Sequence, residues 1–126
     1  LQVLAILEKK VGLNLSKQDV YVNVVGGIDI IEPSYDLALC LSVISSIREI
    51  PINHTTIIIG EVGLLGEIRY VDNIERRLKE ASKLGFKKAI IPSVSEKILK
   101  KLNSLDMEII QVSKVTDAII QGLKQD

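Results

Sequence analysis

The chain has 126 residues and a mass of 13.9 kDa; 47% are apolar and 25% charged, and 16 basic side chains balance 16 acidic ones. That composition describes one soluble globular domain, and a domain of this size buries roughly two thirds of its unfolded surface, so it needs neither disulfides nor a structural metal. One Cys and one His cannot supply the roughly four ligands of a structural zinc site, and the lone Cys40, inside ALCLSVI, excludes an intramolecular disulfide and reads as a buried core thiol.

No apolar stretch reaches the roughly 18 residues of a membrane helix, and the N-terminus lacks the pattern of a secretory signal; a cytoplasmic protein without a membrane partner is expected. The chain opens at Leu1, inside helix-like periodicity, which suggests a piece of a longer protein.

In chain order, Val3, Leu4, Leu7 and Val11 stand at helical spacing over residues 1–11, and Gly12 ends the run. Residues 19–25, DVYVNVV, alternate as a strand before Gly26 and Gly27, and residues 28–31 form a short second strand. Pro33 suits a first helical turn because its missing N–H would be unpaired there, and the helix it starts runs to about Arg48, apolar on nearly every side. TTIIIG is a strand ending at Gly60, and GEVGLLGEIRYV a glycine-punctuated ribbon running into strand at residues 68–71. Asp72 or Asn73 caps the helix IERRLKEASKLG, which Gly85 ends. KKAIIP is a strand, VSEKILKKLNSL a helix, MEIIQV a strand and VTDAIIQGLKQ a last helix. Strand and helix alternate through the second half, which predicts a sheet with parallel pairs and right-handed crossovers.

Three blocks, EPSYDLALC, GEVGLLGEIRYVDNIERRLKEA and GFKKAIIP, resemble the proteolytic domain of Lon proteases. The middle block is the most specific, with Gly60, Glu61, Leu64, Gly66 and Ile68 falling in the Lon pattern. The resemblance implies an α/β fold of the Lon proteolytic-domain type, a mixed sheet with packed helices. Lon-type peptidases cut with a Ser nucleophile and a neutral Lys base; Ser34 matches the nucleophile, and Arg77 falls where the family carries Lys. Burial lowers a lysine's pKa of about 10.4 by roughly 3 to 5 units, enough for neutrality near pH 7. A guanidinium starts about 5.5 to 7 units above neutrality, roughly 7 to 9 kcal/mol, and proteins do not deprotonate it. Ser34 and Arg77 therefore read as vestigial positions. Tyr35 and Asp36 also replace the small residues that follow the Lon serine, and an acid there opposes a developing oxyanion, while a first-turn carboxylate favours the helix by about 0.3 to 1 kcal/mol.

A closer resemblance covers nearly the whole chain: LEKKVGLNL, QDVYVNVVGGI, EP followed by two residues and DLALC, IGEVGLLGEIRYV and IERRLKEASKLGFKKAIIP are similar to the Lon-like C-terminal domain of the bacterial RadA (Sms) family of DNA repair proteins. In that family Arg replaces the Lon base, E-P replaces G-P, and Ala often stands at the position of Ser34. The resemblance implies a pseudo-peptidase domain of a DNA-dependent ATPase that acts in recombination and branch migration. Its partners would be further copies in a hexameric ring, single-stranded or branched DNA, and a RecA-type recombinase. Zinc, ATP and magnesium would belong to a zinc finger and a RecA-like ATPase elsewhere in such a protein; this chain has no G-x-x-x-x-G-K-[ST] loop, and no cofactor or metal is expected in it.

Charge bears on DNA independently. Residues 69–101 hold ten basic side chains, Arg69, Arg76, Arg77, Lys79, Lys83, Lys87, Lys88, Lys97, Lys100 and Lys101, against four acidic ones. All but Arg69 and the vestigial Arg77 are the DNA-contact candidates. Such asymmetry on a neutral chain fits either a phosphate-facing surface or an ordinary solvated face of two amphipathic helices, and with only Tyr70 and Phe86 nearby base stacking has little support. His54 is expected to be exposed, and Gly60, Gly63 and Gly66 to serve turn geometry. Two rival readings stay open: an active Ser peptidase with Lys79 or Lys83 as a relocated base, and a pure oligomerisation module.

Overall fold

Pro33 opens the first described element, in a computed structural model that describes residues 33–124; the expected helix at 1–11 and strands at 19–25 and 28–31 lie outside the described residues. Pro33–Tyr35 is a 3-10 turn, and the α-helix proper, α1, is Asp36–Arg48. It ends where Glu49 turns left-handed, at φ 55, with its N–H directed back to the carbonyls of Ser45 and Ser46. Leu37, Cys40, Leu41, Val43 and Ile44 are buried, and Leu39 and Ile47 pack against the same cluster, so α1 is covered on several sides.

Three strands, β1 (Thr56–Ile58), β4 (Lys88–Pro92) and β5 (Glu108–Val112), form a parallel sheet in the order β1-β4-β5. Two short strands, β2 (Glu61–Val62) and β3 (Ile68–Arg69), pair antiparallel as a separate ribbon. Helices α2 (Ile74–Lys83), α3 (Glu96–Leu102) and α4 (Val115–Gly122) complete the described chain. Side chains alternate across a strand, and the packing follows that period. Ile58, Ile90 and Ile110 join a core with α1 and α4, whereas Ile57, Ala89, Ile91 and Ile109 join a second core with α2 and α3. The result is a sheet covered on both faces, and the central strand β4 is accordingly buried from Ala89 onward.

Several elements are shorter than the sequence predicts. The strand expected to run to Gly60 ends at Ile58 because Gly60 is held by the turn before α1: its N–H donates to Ser34 O and its carbonyl accepts Leu37 N–H, both at 3.0 Å. The helix expected over 94–105 is trimmed to Glu96–Leu102 because Ser95, extended and outside it, caps it by accepting Ile98 N–H at 3.3 Å. The last helix stops at Gly122, where a Cβ would run into Leu41.

Helix α2 ends as expected. Phe86 N–H donates to Ala81 O at 3.0 Å and Gly85 N–H to Ser82 O at 3.1 Å, the pair of bonds of a Schellman motif, with Gly85 at φ 98. A Cβ at Gly85 meets nothing within 4 Å, so the backbone conformation alone demands glycine. Gly85→Ala is expected to cost roughly 1 to 2 kcal/mol, read as a lower urea midpoint at unchanged m.

Candidate functional site

Ser34 and Arg77, 43 positions apart in sequence, line one cleft of about 500 Å³. Ser34 comes from the 3-10 turn and Arg77 from the first turn of α2, with Ile57, Ile58 and Ile59 of β1 and its extension between them. The bonds that Gly60 makes to Ser34 of the turn and to Leu37 of α1 fix Ser34 against the end of β1, and Ser34 is 6% exposed. Glycine suits that approach, since a Cβ would stand 3.0 Å from Ile68 Cγ2 and 3.2 Å from Leu37 Cδ2 and would press both side chains aside.

Arg77 is anchored to the loop before its own helix: its Nε donates to Asp72 O at 3.1 Å and its backbone N–H to Asn73 O at 3.0 Å. The expectation that Asp72 or Asn73 caps α2 with its side chain needs correction. Asn73 holds the cap position at φ 60 without a side-chain cap bond. A guanidinium in this place can orient an anion or hold a loop, but cannot accept a proton from a hydroxyl. Neither proposed substitute base lines the cleft. Lys79 Nζ lies 3.3 Å from Glu75 Oε1, and Lys101 Nζ 3.8 Å from the other oxygen of the same carboxylate; Lys83 is exposed.

Asp36 does not face Ser34. It lines a neighbouring cleft of about 380 Å³ with Glu61, Val62 and Arg69, and its Oδ2 accepts Val62 N–H at 3.2 Å, tying α1 to the ribbon. The expected opposition to an oxyanion at Ser34 is therefore not what this acid does. Burial raises its pKa above the ordinary 3.8; the Val62 bond works against that rise and the Glu61 charge adds to it, and the net direction is up. The folded state thus holds this proton more tightly than the unfolded chain. The stabilisation is complete below pH 3.8 and is lost as pH rises through the raised value, opposite to the usual behaviour of a first-turn acid. Asp36→Asn, which keeps an acceptor for Val62, is expected to leave stability at neutral pH unchanged or higher and to flatten its acid-side dependence, as checked by urea titrations from pH 3 to 7. Cys40, buried beneath, has its thiol pushed up to about 12 by burial and then by the Asp36 charge, and is inert as a thiol.

The basic candidates divide. Arg76, Lys79, Lys83, Lys97, Lys100 and Lys101 stand on α2 and α3, which pack against the same face of the sheet, and all six are exposed. Of these, Arg76, Lys83, Lys97 and Lys100 take part in no ion pair among the described residues. Lys87 pairs with Asp106 at 3.1 Å. Lys88 is half-buried and its Nζ donates to Gln121 O of α4 at 3.3 Å, on the opposite face of the sheet. Arg69 lies on the ribbon, 4.0 Å from both Glu61 and Glu67. His54 is exposed as expected.

The sequence reading missed two features: the apolar walls of the Ser34 cleft, and the tip of the ribbon. Leu64 and Leu65 there are 67% and 75% exposed. Two leucines between Gly63 and Gly66 were a readable sign of an apolar tip, but in one dimension they look like core.

A family model described as subunit ChlI of Mg-chelatase matches residues 2–95. The chain belongs to that family. The chain is 48% identical over 123 residues to the DNA repair protein RadA of Synechocystis sp., covering 98% of this chain and 24% of that protein. It is 47% identical over 121 residues to RadA of Bacillus subtilis, covering 96% and 26%, and 44% identical over 117 residues to RadA of Escherichia coli, covering 93% and 25%. The chain thus spans about a quarter of the length of the curated relatives it matches. Among its described residues no helix is long and apolar enough to cross a membrane, and no group of three or more His, Cys, Asp or Glu gathers to hold a metal ion.

Proposed function

We propose that this chain is a catalytically silent, Lon-like domain of a RadA-type DNA repair ATPase, and that it serves as a platform for ring assembly and DNA contact in the cytoplasm. The repair role rests on the identity of 44 to 48% to RadA proteins over nearly the whole chain. The silence rests on one observation of geometry, a guanidinium lining the cleft of Ser34 with neither Lys79 nor Lys83 beside it. Lon peptidase chemistry needs a base that is neutral near pH 7, and Arg does not provide one. Hexamer formation, branch migration and recombinase contact belong to the same proposal, as do ATP, magnesium and zinc bound by other parts of such a protein.

DNA contact is assigned to the outer side of α2 and α3, with Lys83, Lys97 and Lys100 as its phosphate-facing core and Arg76, Lys79 and Lys101 around them. Lys88, bonded on the other face, is left out, and Lys87 contributes less because Asp106 at 3.1 Å cancels part of its charge. The pseudo-peptidase assignment is tested by incubating the chain with a fluorophosphonate probe and a disordered protein substrate. The expected result is no label on Ser34 and no cleavage. A stoichiometric label that Ser34→Ala abolishes would establish an active nucleophile and overturn the assignment.

A further inference from the structure

The ribbon projects two leucines that its own fold does not use. Leu65 N–H donates to Glu67 Oε1 at 3.2 Å, Gly63 N–H to Glu67 O at 2.8 Å and Gly66 N–H to Gly63 O at 3.0 Å. The base of the ribbon is fastened to the segment before α4, with Ile68 N–H on Ser113 O at 2.9 Å and Val115 N–H on Gly66 O at 3.0 Å. The tip is thus braced from both sides while Leu64 and Leu65 remain largely exposed. Adjacent exposed apolar side chains held in place by a fixed backbone are the kind of contiguous patch that marks an interaction surface.

The Ser34 cleft is the complementary shape on the same molecule. Its volume is about 500 Å³, and its walls include Ile57, Ile59 and Ala81, with Tyr35 and Leu84 at 43% and 76% exposure. The charges match as well. Residues 61–69 carry Glu61 and Glu67 against Arg69, a net single negative charge, whereas the cleft is bordered by Arg76 and Arg77 against Glu80, a net single positive one. A copy's own tip does not seat in its own cleft, because none of residues 63–66 lines it and the two features sit on either side of the Pro33–Tyr35 turn.

We propose that the Leu64–Leu65 tip of one copy of this chain seats in the Ser34 cleft of a second copy, with Glu61 and Glu67 toward Arg76 and Arg77. The contact joins two different surfaces, so it is head-to-tail, and such contacts close into rings when the rotation permits. It also gives the vestigial cleft a use that needs no nucleophile. The contact rests on the assembly part of the reading above, and the experiment separates the two.

Sedimentation equilibrium of the chain over a concentration series is compared with a tip variant, Leu64→Ser with Leu65→Ser, and a cleft variant, Leu84→Lys, all positions exposed enough to leave folding intact by circular dichroism. Each variant alone is expected to lose association by roughly 100-fold or more, the scale of two buried leucines. A mixture of the two is expected to recover pairs and nothing larger, since one copy keeps a working cleft and the other a working tip. In a second measurement, Leu65→Cys mixed with Leu84→Cys is expected to form a disulfide between unlike copies on mild oxidation. Variants that associate as well as the wild type overturn the tip-in-cleft contact while leaving assembly standing; a wild-type chain that remains monomeric at every concentration overturns both.

Discussion

Reversing Lys83, Lys97 and Lys100 to Glu is expected to weaken DNA retention at 50 mM salt by about tenfold or more and to reduce the slope of log K against log salt by roughly 2 to 3, about 0.9 for each phosphate that is no longer neutralised. The reason is positional. These three ammonium groups are exposed, share the α2 and α3 face, and have no carboxylate partner among the described residues. Lys79 and Lys101 both lie within 4 Å of Glu75, so part of their field is already cancelled. Lys88→Glu serves as the contrast: its Nζ is engaged by Gln121 O on the other side of the sheet, and it is expected to change the salt slope little while lowering stability. Fluorescence anisotropy of a labelled oligonucleotide across a salt series reads both effects. A loss of slope from Lys88→Glu one third as large as that from the triple reversal, in proportion to the charge changed, would mean that net charge, and not a particular face, governs binding.

Ile90→Ala is expected to lower the free energy of unfolding by roughly 2 to 5 kcal/mol, a large part of the 5 to 15 kcal/mol typical of a domain. Ile90 is fully buried at the middle of the central strand. Its side chain enters the core shared with α1 and α4, where a Cβ on Gly122 would stand 3.6 Å from its Cδ1. Three elements close around this one side chain, which leaves the surroundings little freedom to collapse into a cavity. Ile120→Ala, at a position 65% exposed on α4, is the control and is expected to change stability by less than about 0.5 kcal/mol. Urea denaturation at constant m distinguishes them.

Much of this architecture was legible in the sequence because it is written in local rules. The helix that Pro33 opens and that ends at Arg48, the stop at Gly85 and the alternation of strand and helix from Ile74 onward each follow from punctuation and period, and each stands in the structure. What failed to show was set by partners distant in sequence. Gly60 leaves its strand because of Ser34 and Leu37, and Asp36 is claimed by Val62 rather than by the cleft of Ser34. Lys87 and Lys88 are adjacent in sequence and similar in chemistry, yet strand alternation sends them to different environments. A linear count of charge cannot make that division.

The proximity of Ser34 and Arg77 shows the same difference. The sequence paired them only through a family resemblance, with no spacing rule that brings residues 43 apart to one cleft; the parallel sheet does so by setting the end of β1 beneath the first turn of α2. Both the proposed catalytic silence and the proposed tip-in-cleft contact depend on that placement.

The central claim, a platform that assembles and holds DNA without peptidase chemistry, is tested most directly by light-scattering mass over a concentration series, with and without DNA at low salt. A stable ring near six subunits is expected, closed by head-to-tail contacts, that retains DNA and releases it as salt rises. A monomer indifferent to DNA at every concentration would contradict it.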